Sequence, residues 1–144
     1  MKKILAVLVI LLITGIVLTG CGATALKESD VSYADAMVEN TLVAENKKDY
    51  DLWTKDMGDE MLKAVPQDKF EQSLLEPIQG KIGTYVAGSK KFLAAARSQG
   101  TVIVEYKAKF TGEDQVTVKM TFEEVGGQEK IVGEWYDSAK LRGK

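Results

Sequence analysis

Histidine is absent from the 144 residues. With it go the commonest general base, the Ser-His-Asp arrangement and the commonest transition-metal ligand. Cysteine occurs once, as Cys21. A single thiol makes no internal disulfide and no cysteine-based zinc or iron–sulfur site. Nothing near Cys21 would lower its pKa, which argues against a catalytic thiol. No serine is followed by lysine three residues on, so a Ser-x-x-Lys nucleophile is missing as well. Net charge is −2, with no basic stripe interleaved with aromatics. A mildly acidic chain of this kind repels nucleic acid. With only 2 prolines, 45% hydrophobic and 28% charged residues, the composition is neither collagen-like nor disordered. Gly126-Gly127 runs into charges and a strand, not a helix, so it is no phosphate loop.

The acidic stretch "DYDLWTKDMGDE", residues 49–60, fails as a calcium loop. Counted from Asp49, its fifth and sixth positions are Trp53 and Thr54, where an oxygen ligand and a glycine are needed. The pairs Glu113-Asp114 and Glu123-Glu124 fall at opposite ends of one expected strand and do not converge on a substrate. No metal, no cofactor and no nucleic-acid partner is expected.

The N-terminus carries the clearest message. Met1-Lys2-Lys3 is positive, and Ile4 to Leu18 is almost wholly apolar. This is the layout of a secretory signal over residues 1–20. The run is shorter than the ~20 apolar residues that span a bilayer comfortably. Leu18-Thr19-Gly20-Cys21 resembles a lipobox, whose cysteine receives a lipid after cleavage. Each buried lipid methylene contributes about 0.8 kcal/mol, so two or three chains hold a small domain firmly. The competing reading is an uncleaved membrane helix with an incidental cysteine. Both put the domain on the extracytoplasmic face of the cell membrane. Residues 21–30 are then the lipidated cysteine and tether, 31–137 the domain, and 138–144 a basic tail.

The domain divides into helices followed by strands. Ser32 is an expected N-cap, and Ala34, Met37, Val38, Thr41, Leu42 and Ala44 form one helical face. Lys47-Lys48 suits the end of that helix. Asp49 reads as the next N-cap, with Tyr50 and Trp53 on one face. Pro66 is expected in the first turn of a helix presenting Phe70, Leu74, Leu75 and Ile78, which Pro77 kinks or interrupts. From Thr84 the period becomes two. Val102, Val104, Tyr106, Ala108 and Phe110 share one face of a strand, as do Val116, Val118, Met120 and Phe122. "KIVGEWY" is a third strand and "TYVAGSKKFLAAAR" a fourth, bent at Gly88. Gly-rich turns separate neighbours, which predicts a four-stranded antiparallel meander covered by the helices.

"KKDYDLW", "GKIGTYV", "VEYKAKF", "VTVKMTFEEV" and "KIVGEWY" together resemble a family of secreted and lipid-anchored domains of unknown function. The resemblance covers residues 31 to 136. It implies a cystatin-like, or nuclear-transport-factor-two-like, α+β cone, in which three helices sit inside a curved sheet. It brings no catalytic residues, and that fold hosts many functions.

In such a cone, Trp53, Tyr106, Phe110 and Trp135 are candidates to line a pocket, with a tyrosine hydroxyl orienting a ligand. Plain core packing explains the same aromatics. The tail residues Lys140, Arg142 and Lys144 are read as a solvated terminus or as a contact for anionic headgroups. The first functional reading is a non-enzymatic lipoprotein that binds a small apolar ligand or an envelope protein. The alternative is a cone-fold hydrolase or isomerase with a tyrosine–carboxylate pocket. A third is an interaction module pairing through the outer face of its sheet.

Overall fold

The computed structural model describes residues 22–144. The expected signal segment and Cys21 lie outside the described residues. The order is a short strand β1 (Thr24–Leu26), helices α1 (Ser32–Lys47), α2 (Tyr50–Thr54), α3 (Asp59–Ala64) and α4 (Glu76–Ile82), then β2 (Lys91–Ser98), β3 (Thr101–Phe110), β4 (Glu113–Val125) and β5 (Gln128–Asp137). After β1, the helices precede the four long strands, as the periodicity predicts.

In α1 the residues Ala34, Val38, Thr41, Leu42, Ala44 and Glu45 are buried, one stripe at helical spacing. A 3₁₀ turn at Glu28–Val31 runs into it, so Ser32 is the first helical residue and not the cap. The helix stops at Lys48, whose left-handed φ of 56° returns its N–H to the Ala44 and Glu45 carbonyls. Asp49 then caps α2 by accepting the Leu52 N–H at 3.0 Å. Asp49→Ala should cost about 1 kcal/mol, the usual value of an N-cap. Urea denaturation of the two proteins checks this.

Pro66 precedes a 3₁₀ turn at Gln67–Lys69, and Phe70–Leu75 form a π-helical stretch leading into α4. The expected helix is interrupted here: the π-helical stretch gives way to α4 just before Pro77, which sits in the first turn of α4.

The sheet has five antiparallel strands in the order β1-β2-β3-β4-β5, not four. The extra strand is β1, which pairs Thr24 with Arg97 and Leu26 with Ala95. Three residues of the expected tether, Thr24–Leu26, are thus part of the sheet. Strand β2 begins at Lys91, well after Thr84. Tyr85 makes only an isolated bridge to Phe110. The loop before β2 is held by helix side chains instead. Asn46 exchanges two bonds with the Tyr85 backbone, at 2.7 and 2.9 Å. Glu39 accepts the Tyr85 hydroxyl at 2.8 Å and the Gly88 N–H at 2.9 Å. Lys90 pairs with Asp35 and Glu39 and lies over the Tyr106 ring.

The inward faces of β3 and β4 match the alternation residue for residue, and all nine side chains are buried. They form one core with the helices. Thr24, the β2–β3 turn and the β4–β5 turn gather at one end of the sheet; the β3–β4 turn and Asp137 lie at the other. Residues 138–144 fold back at that second end. The Lys140 N–H donates to the Glu113 carboxylate at 3.2 Å, Arg142 pairs with Asp137, and Leu141 packs on the core.

Candidate functional site

Trp53, Tyr106 and Phe110 are buried. Trp53 stacks on Tyr50 and packs against Phe70, with ring centroids 5.7 and 5.2 Å away. Phe110 meets Tyr85 and Tyr136, and Tyr106 meets Phe92. Trp135 does not join them. It is 51% exposed on the opposite face of the sheet, with the Lys119 ammonium 5.1 Å from its ring.

A bulge explains the displacement of Trp135. Phe122 pairs with Ile131, but the next residue back, Thr121, pairs with Gly133. Val132 is the extra residue, and it reverses the phase of β5. Glu134 and Tyr136 turn inward opposite Met120 and Val118, and Trp135 turns outward opposite Lys119.

That phase change builds a polar group the sequence reading missed. Glu45, buried in α1, meets Glu134 and Tyr136. The Tyr136 hydroxyl lies 2.7 Å from Glu45 Oε2 and also touches Glu134 Oε1. The Trp53 indole N–H faces the Glu45 carboxyl and favours its ionised form, without a formed hydrogen bond. Burial outweighs this. Desolvation first, then the charge and hydrogen bonding of Glu134, hold Glu45 well above the usual carboxylate range. Burial, then the two glutamates, push the Tyr136 hydroxyl up as well. A clue to Glu45 existed: it falls at i+7 from Val38 and i+3 from Leu42, on the apolar stripe of α1.

Tyr85 is the other tyrosine bonded to a carboxylate. Burial, then its hydrogen bond to Glu39, push its hydroxyl up to about 12, so it remains a donor.

The outer sheet face is of a different kind. Ile103 of β3 and Trp135 of β5 are exposed there, and Leu93 is exposed at the β2 bulge. Ala25, Ala96, Ile103, Thr121 and Gly133 form a row of small or apolar residues across all five strands. The next row holds Ala94, the Glu105–Lys119 ion pair at 2.8 Å, and Trp135. At the Thr24 end, Arg97, Gly100, Val102, Glu124 and Glu129 line a cleft of about 260 Å³.

Among the described residues no group of three or more acidic, histidine or cysteine side chains is placed to hold a metal ion. No helix among them is long and apolar enough to cross a membrane. No protein-family model matches the chain, and no similar curated protein or solved structure was found.

Proposed function

We propose that this chain is a lipid-anchored, extracytoplasmic, non-enzymatic binding module that docks an envelope protein on the outer face of its sheet. The observation that carries this reading is the exposure of three large apolar side chains, Leu93, Ile103 and Trp135, on strands β2, β3 and β5, while Trp53, Tyr106 and Phe110 are packed in the core. The row Ala25, Ala96, Ile103, Thr121 and Gly133 adds small and apolar residues to the same face, and large exposed apolar patches mark interaction sites. The tyrosine–carboxylate group of the enzyme alternative exists as Tyr136, Glu45 and Glu134, but it is enclosed between helix and sheet. A cystatin-like cone is the finer fold reading. It is supported by helices on one face of an antiparallel sheet and by bulges in β2, β4 and β5, which bend strands.

The anchor gives the domain an orientation. Thr24 enters the sheet three residues after Cys21, a reach of roughly 10 Å. A lipid on Cys21 therefore stands the sheet on its Thr24 end. The outer face is then presented sideways, to a neighbour in or on the same membrane. The basic tail lies at the far end of the 13-residue strand β4, about 40 Å away at ~3.3 Å per residue. It does not reach the headgroups.

Two linked measurements test the proposal. Cys21→Ala should abolish lipid labelling and release the protein from the membrane fraction; label that persists refutes the anchor. A photoreactive residue at position 103 or 135 should give one discrete protein adduct in cells. The same residue at Glu60, exposed on α3, should not, and Leu93→Asp should remove the adduct. No adduct from the sheet, or equal adducts from position 60, refutes the docking face.

A further inference from the structure

Helix α1 and strand β5 meet at a polar group in an otherwise apolar core. The Tyr136 oxygen is in hydrogen-bond contact with both Glu45 Oε2 and Glu134 Oε1. A phenol carries one hydrogen. It donates to one of these oxygens and must accept a hydrogen from the other. Two ionised glutamates would leave bare oxygens facing each other. The geometry therefore requires one more proton, on a glutamate. Glu45 is buried and Glu134 half-buried. Charge costs more in the drier place, so the proton sits on Glu45 and the negative charge lies toward Glu134. Hydrogen bonds then run from Glu45 to Tyr136 to Glu134.

The surroundings fit a bound proton and no other counter-charge. Three of the four buried polar atoms without a partner among the described residues are Glu45 Oε1, Glu134 Oε2 and Trp53 Nε1, all in this group. None of the ion pairs among the described residues involves Glu45 or Glu134. The titratable groups that face Glu45 are Glu134 and Tyr136, both from β5. From α2 it meets the Trp53 indole, and from α4 Gln79 donates to its backbone carbonyl at 3.2 Å; neither titrates.

We propose that Glu45, Tyr136 and Glu134 form a buried proton-binding site that latches edge strand β5 to helix α1, and that the latch weakens when the proton leaves. Burial and the Glu134 charge both favour the protonated form of Glu45 in the folded chain. The sign of the linkage follows. The folded chain holds this proton more tightly than the unfolded chain. The stabilisation is complete below the ordinary glutamate value of 4.5 and is lost as pH rises through the raised folded value. This is the reverse of a salt-bridged carboxylate. The strand so held carries Trp135 on its other face, so the latch also steadies the outer surface. The latch itself stands whether or not that surface docks a protein.

The test uses the full chain in detergent micelles, with carbon-13 at the glutamate carboxyls. One carboxyl should keep its acid form above the pH range in which the other glutamates ionise, and that signal should be missing in Glu45→Gln. In urea, the unfolding constant of the wild type should rise about tenfold or more between pH 5 and pH 9. Glu45→Gln, a neutral isostere, should remove most of that rise. Glu134→Gln takes away the neighbouring charge and should move the acid-form signal to lower pH, which decides the matter if Glu45→Gln does not fold. The proposal is overturned if no carboxyl titrates above the ordinary glutamate range, or if the full pH slope survives in both variants.

Discussion

Trp53→Ala should destabilise the fold by about 3–5 kcal/mol, the usual range for deleting a large buried aromatic. Trp53 is 0% exposed and is the largest fully buried side chain. It belongs to a five-residue helix that could not hold itself together alone. Its indole stacks on Tyr50 and packs on Phe70, which fixes α2 against the turn that begins the π-helical stretch. The Tyr50 hydroxyl donates to the Val65 carbonyl at 3.0 Å, so the same cluster also ties down the end of α3. Removing the indole opens a cavity beside the Glu45 carboxyl, where water can enter. Part of the loss is then recovered by hydrating that group, and the lower half of the range is the more telling one. Equilibrium urea denaturation gives the number. A loss under about 1 kcal/mol would mean that the core around α2 is loosely closed, and would return Trp53 to the role of pocket lining.

The helix order and strands β3 and β4 were legible because each keeps one period from end to end. The stripe from Ala34 to Ala44 and the alternations along β3 and β4 run without interruption across the buried positions, and a half-buried element needs nothing more to declare itself. The Asp49 cap was legible for a local reason: its oxygen and the Leu52 N–H are three residues apart. What stayed hidden was non-local. Strand β1 has three residues, too few to show a period, and its pairing with β2 lies some seventy positions away. The bulge at Val132 leaves no mark in composition, yet it decides whether Trp135 or Tyr136 faces the core. Read with a constant period from Ile131, β5 puts Trp135 inside; read through the bulge, it puts Glu134 and Tyr136 there. One inserted residue thus moved an expected pocket aromatic to the outer face and brought a second carboxylate to Glu45. The candidate site was illegible because its two halves lie on α1 and β5, and only the phase of β5 joins them.

Gly83→Ala and Gly80→Ala should move stability in opposite directions, though the two glycines are three residues apart on the same helix. Gly83 ends α4 with φ 78° and ψ −160°, a region open essentially to glycine alone. A Cβ there would lie 2.0 Å from Thr111 Oγ1 and 3.0 Å from the Gly112 nitrogen. Those atoms are not free to retreat. Thr111 Oγ1 accepts the Thr84 N–H at 3.0 Å. The Gly112 N–H donates to the Ile82 carbonyl at 2.9 Å, and the Thr111 N–H to the Thr84 carbonyl at 2.8 Å. The methyl group must break this lacing between the helix exit and the β3–β4 turn, in addition to the backbone strain. A loss of about 2–4 kcal/mol is expected, the strain of one forbidden conformation plus a lost bond or two. For a domain of this size that lowers the melting temperature by on the order of 10 °C. Gly80 lies inside α4 with nothing within 4 Å of its added Cβ. Alanine there removes unfolded-chain freedom without a clash and should stabilise by about 0.5–1 kcal/mol. Thermal melts of the two variants, followed by circular dichroism, separate the effects of space and backbone from those of helix propensity. If both variants shift the same way, the helix exit is not the rigid joint that its hydrogen bonds describe.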